Sequence, residues 1–142
     1  MADTCLFCSI IKKEKPSFTI YEDDAVVAFL DIFPHAPAHT VVIPKRHMET
    51  VLDMQPEEMQ TFWVGVNQTI KLLQKTLHPH GFTIGINHGK VSGQAVEHLH
   101  IHILPRFEGD GGGSMHSVIK NPGTKTPEEM YEEIKKLSSE KL

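Results

Sequence analysis

The strongest constraint on this chain is a single run, His98-Leu99-His100-Ile101-His102-Ile103-Leu104. Histidine alternates there with Leu or Ile. A period of two predicts a β-strand with two unlike faces. Leu99, Ile101 and Ile103 make a face that belongs on a core. The opposite face would carry three imidazoles, spaced roughly 6.5–7 Å apart along the strand. Stability alone does not call for three histidines on one strand face, so they either bind metal or do chemistry. The run is led in by Gly93-Gln94-Ala95-Val96-Glu97. Gly93 lets backbone approach a ligand closely, and Gln94 offers a donor and an acceptor without a charge.

The rest of the chain narrows the setting. At 142 residues, with 39% hydrophobic and 23% charged residues, it suits one domain with a true core. The formal charge of -4 and the lack of a basic stripe argue against binding duplex nucleic acid. No apolar run approaches the roughly 20 residues of a membrane span. No secretory signal is visible, so the expected location is cytoplasmic. The two cysteines form Cys5-Leu6-Phe7-Cys8. In a reducing compartment that spacing points to metal or redox chemistry before a structural disulfide.

In chain order, Cys5 to Lys13 reads as a short amphipathic helix with Phe7, Ile10 and Ile11 inward. Residues 18–22 and 25–31 read as two strands joined by the turn chemistry of Asp23-Asp24. The prolines of Phe33-Pro34-His35-Ala36-Pro37 predict a loop, and residues 39–44 a third strand. Pro56-Glu57-Glu58 opens a long helix to about His78. Met59, Phe62, Trp63, Val66, Ile70 and Leu73 mark its apolar stripe. A fourth strand spans 81–87, and the histidine strand is the fifth. After Arg106 a glycine-rich loop follows, and Thr126-Pro127-Glu128-Glu129 starts a C-terminal helix running to about Lys136. The fold class is α+β. We expect a single domain over 1–142, with its core at about 5–106.

The run from Gly93 to Leu104 resembles the signature of the histidine triad (HIT) family. Phe29-Leu30-Asp31-Ile32 and the stretch from His39 to His47 resemble its two other landmarks, in the same order. The resemblance covers about Cys5 to Arg106. It implies a sheet of about five antiparallel strands, nucleotide hydrolase or nucleotidyl transferase activity, and a homodimer. It assigns His100 as the nucleophile toward an α-phosphate, forming a covalent nucleotidyl-histidine intermediate. Imidazole suits that role because its ordinary pKa of about 6.5 leaves it neutral near pH 7. His102 and His39 would donate to phosphate oxygens, with Gln94 a further catalytic residue and Asn87 a phosphate contact. Asp31 would hold ribose hydroxyls. Phe7, Ile10, Phe29, Ile32 and Val41 would line a base pocket, although such residues are core in most proteins.

Position 95 is Ala where many relatives carry Ser or Thr, which leaves the leaving group open between dinucleoside polyphosphates and nucleoside phosphoramidates. Some relatives also pair a CxxC with two histidines. Here Cys5, Cys8, His47 and His98 match that set, which implies structural zinc with four protein ligands; catalysis itself would need no cofactor. Two other readings remain: a zinc-dependent metalloenzyme built on the His-x-His-x-His strand, and a nucleotide-binding protein without turnover.

Overall fold

A computed structural model describes residues 4–141, with side chains described to residue 139. The chain forms two compact units, one ending at Gly112 and the other beginning at Gly113. The first contains α1 (Leu6–Ile11), β1 (Thr19–Glu22), β2 (Val26–Leu30), β3 (Thr40–Pro44), α2 (Pro56–Leu77), β4 (Gly81–Gly85) and β5 (Ile101–Arg106). Its five strands form one antiparallel sheet in the order β1-β2-β3-β5-β4. The second unit contains α3 (Pro127–Lys141). Its start is capped as expected: Thr126 and Glu129 exchange side chain-to-backbone hydrogen bonds of 2.8 and 3.1 Å. The helix runs five residues beyond the predicted end. No helix among the described residues is long and apolar enough to cross a membrane.

Strand alternation explains the layering. Val26, Ala28, Val42, Ile101 and Ile103 face one side, where Phe62, Val66 and Leu73 of α2 cover them. Val27, Phe29, Val41 and Ile43 face the other, against Phe7 and Ile10 of α1. Gly65 lets α2 lie close on β2, since a Cβ there would meet Val26 Cγ2 at 2.5 Å. The β1–β2 turn is held by Asp23, whose Oδ1 accepts from the N–H groups of Ala25 and Val26 at 2.8 and 2.9 Å.

The structure differs from the sequence expectation in three informative places. The histidine strand begins at Ile101, so His98 and His100 precede it in irregular chain. Ladder pairing with β3 stops at Val42–Ile101. Further along β3 comes Pro44, which brings no N–H to a ladder. The chain instead bonds to the segment after β3, with the Leu99 N–H donating to Met48 O at 2.7 Å. Second, Met59 and Trp63 are 42% and 47% exposed. The buried stripe of α2 is Phe62, Gly65, Val66, Thr69 and Leu73, so small residues carry part of the contact that periodicity gave to the large ones. Third, the loop after β4 contains a 3-10 turn, Lys90–Ser92, between Gly89 and Gly93, both at positive φ.

Candidate functional site

The irregular segment before β5 brings two groups of histidines together. In the first, one donor atom each from Cys5, Cys8, His47 and His98 lies within 4.8 Å of all the others. His98 Nδ1 lies 3.4 Å from Cys5 Sγ and 3.6 Å from Cys8 Sγ. His47 Nδ1 lies 3.2 Å from Cys8 Sγ and 3.1 Å from His98 Nδ1. Zinc with Zn–S near 2.3 Å and Zn–N near 2.0 Å has tetrahedral edges of roughly 3.3–3.8 Å, so the spacing is close to what one ion requires. On its far side, His98 Nε2 lies 2.9 Å from Pro44 O. A carbonyl only accepts, so Nε2 carries the proton and Nδ1 is left bare toward the cluster, the orientation a ligating imidazole needs. Without a metal, burial and then the neighbouring Cys5 push the Cys8 thiol up to about 11, while burial lowers His98 to about 4.

His100 stands beside this group. Its Nδ1 donates to His98 O at 2.7 Å, which leaves Nε2 with a free lone pair. The edge of Phe7 packs against the ring, with centroids 5.2 Å apart. Burial lowers its pKa below the ordinary imidazole range, which keeps that lone pair unprotonated near neutrality.

The second group is Asp31, His39 and His102. The His35 backbone N–H donates to His39 Nδ1 at 3.1 Å. His39 therefore carries its proton on Nε2, 2.9 Å from His102 Nδ1 and 3.6 Å from Asp31 Oδ2. His102 Nδ1 accepts that proton, so the outer proton of neutral His102 sits on Nε2. One backbone amide thus sets two tautomers in series. Burial lowers both groups, His102 to about 4.

With this geometry in hand, a family model for the HIT domain matches residues 12–109. The chain belongs to the histidine triad family. A HIT-like protein of Methanocaldococcus jannaschii is 44% identical over 131 residues, covering 92% of this chain and 98% of the relative. A HIT family hydrolase from Clostridium thermocellum has a TM-score of 0.70 at 34% identity, over 80% of this chain and 97% of that one. A histidine triad nucleotide-binding protein from Candida albicans has a TM-score of 0.79 at 29% identity, over 96% of each chain.

The other sequence-derived residues of this HIT chain fall into three placements. Phe7, Ile10, Phe29 and Val41 are buried together on the α1 side of the sheet, and Phe7 and Phe29 meet edge to face at 5.4 Å. Asp31 follows β2. Its N–H donates to His39 O at 2.8 Å and its Oδ1 accepts from the Phe33 N–H at 2.8 Å, which leaves Oδ2 toward His39. Ile32, by contrast, is 70% exposed and stands apart from the buried wall. Asn87, just past β4, is exposed and lies beside Gly93. Gln94 makes all its described side-chain bonds to backbone. Its Oε1 accepts from the Gly89 N–H at 2.8 Å, and its Nε2 donates to Glu49 O and Val96 O at 2.9 and 3.1 Å. His35 lies in the loop that the prolines of residues 33–37 predict. Its contribution comes through a main-chain N–H, for which a side-chain motif holds no signal.

Proposed function

We propose that this protein is a nucleotide hydrolase or nucleotidyl transferase that cleaves the α-phosphate bond of purine nucleotide conjugates through His100. The observation that carries the reading is the 2.7 Å bond from His100 Nδ1 to His98 O, because it aims the chemistry at Nε2. Nε2 attacks the α-phosphorus, a P–N bond forms, and the bond to the leaving group breaks with its electron pair on that group. His102 Nε2–H donates a hydrogen bond to the leaving-group atom as charge builds on it, and the leaving group takes its proton from solvent. Water then attacks the same phosphorus and gives up a proton to solvent, the P–Nε2 bond breaks with its electron pair returning to Nε2, and the nucleoside monophosphate leaves. Asp31 would accept from ribose hydroxyls, and Phe7, Ile10, Phe29 and Val41 would form the apolar wall for the base. Ile32 would close over it only at the surface. Asn87 would contact phosphate. No step as written draws on a metal ion.

The relatives support the class of activity: the Clostridium protein is described as a hydrolase and the Candida protein as nucleotide-binding. The Cys5–Cys8–His47–His98 cluster would hold zinc as a closed structural site, tying α1 to the segment after β3 and the segment before β5. The metal-centred alternative, with catalytic zinc on the triad, is disfavoured by tautomer. His102 Nδ1 takes the hydrogen bond of His39 Nε2–H, so the last histidine of the strand keeps its proton on Nε2 and has no lone pair left for a metal. We also infer a homodimer, because Met59, Trp63 and Val64 of α2 are exposed together.

The test is intact mass after rapid mixing with an AMP conjugate and acid quench. Wild type should show a transient adduct of one AMP group, and His100→Gly none. Turnover without an adduct that stops on chelation would support the metalloenzyme. Binding without turnover would leave a nucleotide-binding module.

A further inference from the structure

We propose that Gln94 is a positioning residue that closes the β4–β5 loop and so places Asn87, and that it does not contact the reacting phosphate. The role assigned by resemblance needs an amide hydrogen free for a phosphate oxygen. Both hydrogens of Gln94 Nε2 are already committed, one to Glu49 O and one to Val96 O. The amide cannot simply be turned over, since that would set Oε1 against two carbonyls and Nε2 against the Gly89 N–H. The loop is closed twice over. Gly89 N–H donates to Gln94 Oε1 at 2.8 Å, and the Gln94 backbone N–H donates back to Gly89 O at 3.1 Å.

Those bonds define what the residue does. The closed stretch from Gly89 to Gln94 holds the 3-10 turn Lys90–Ser92, whose flanking glycines adopt φ of 85° and 99°. Gly93 lies beside the Asn87 side chain: a Cβ there would stand 3.8 Å from Asn87 Cγ and Nδ2, in van der Waals contact. The bond to Glu49 O joins this loop to the segment after β3. That segment also carries His47 and accepts the Leu99 N–H through Met48 O. One half-buried amide therefore fastens the loop beside Asn87 to the strip of backbone that orders His98 and His100. Between Gly89 and Gln94 the one apolar side chain, Val91, is fully exposed. The side-chain bonds of Gln94 carry the closure that a core residue would otherwise provide.

The substrate half of this inference rests on the nucleotide reading; the loop half does not. The test uses the full chain with Gln94→Glu, which keeps shape and acceptor but loses both donors, and Gln94→Met, which keeps shape alone. Lys90 lies exposed within the closed turn, so tryptic cleavage after Lys90, read by fragment mass, reports loop opening. Both variants should be cut there roughly tenfold faster or more, as befits loss of two or three hydrogen bonds. With an AMP conjugate, KM should rise roughly tenfold while the single-turnover rate stays within about threefold. A hundredfold drop in the single-turnover rate with Lys90 still protected would overturn the proposal in favour of a catalytic contact. Unchanged cleavage with unchanged KM would overturn it too, as would loss of cooperative thermal unfolding in both variants, which makes the closure global. If wild type turns over no AMP conjugate, the nucleotide reading fails while the cleavage result still decides the loop.

Discussion

The two histidine groups, His47–His98 with the cysteines and His39–His102 with Asp31, look alike as lists of donors, and each gathers its donor atoms within 4.8 Å. They differ on the far side of one ring. His98 Nε2 faces a carbonyl, Pro44 O, and must donate. His39 Nδ1 faces an N–H, that of His35, and must accept. The first arrangement leaves a bare nitrogen in the cluster and suits a metal. The second places a proton between two imidazoles and suits proton transfer. A histidine cluster is therefore read from what holds its outer nitrogens, and the backbone decides that here in both cases. His100 belongs to neither group, yet the His98 carbonyl orients it.

The largest effect that tests this division is at His100. His100→Gly should lower turnover at least roughly ten-thousandfold, as loss of a nucleophile does, while the protein still binds zinc one to one by elemental analysis. Joint loss of metal and turnover would break the separation. The next is on stability. With free zinc a thousandfold above its Kd, wild type should be stabilised by roughly 4 kcal/mol over the chelated protein in denaturant unfolding. Cys8→Ala should lose that response and His102→Asn should keep it. The reverse pattern would exchange the roles of the two groups.

Much of this was legible in the sequence because it is carried by side chains in periodic patterns. Strand alternation placed Leu99, Ile101 and Ile103 in the core, and the family landmarks named both histidine groups. The failures share a cause. The strand was extended back through His98 because alternation cannot register that Pro44 offers no ladder N–H. Trp63 was placed in the core because helical periodicity ranks large residues above Gly65 and Thr69, which close approach to β2 requires. Ile32 lies past the end of β2, so strand alternation does not register its 70% exposure. The tautomers depend on the His35 N–H and the Pro44 and His98 carbonyls, and backbone groups leave no mark in a motif.

A smaller effect concerns pH and the second group alone. Burial lowers His39, and lowers His102 from 6.5 to about 4. The neutral relay therefore persists below the ordinary imidazole range. kcat/KM should stay level as pH falls through 6.5 and decline below it, as His100 Nε2 and the His39–His102 pair take up protons. The same shift bears on stability. The unfolded chain takes up this proton near 6.5 and the folded chain near 4, so the contribution is complete above 6.5 and is lost as pH falls through that window. An acid limb centred at 6.5 in a profile taken at constant ionic strength would mean that the relay is open to water.

The smallest effect isolates the turn that sets the tautomers. Ala38, just before His39, has φ of 59°, a left-handed conformation that costs a residue with a Cβ roughly 1–2 kcal/mol. Its carbonyl accepts from Thr40 Oγ1 at 2.8 Å, and the His39 N–H donates to Ala36 O at 3.0 Å, so the turn is held on both sides. Ala38→Gly removes the strain but adds roughly 0.5–1 kcal/mol of chain entropy to be lost on folding. The net expectation is a gain of about 0.5 kcal/mol in denaturant unfolding. If the turn also depends on that strain to aim the His35 N–H, kcat should fall while zinc binding stays constant. A gain in stability with unchanged kcat would show that the hydrogen bonds alone hold His39 in register.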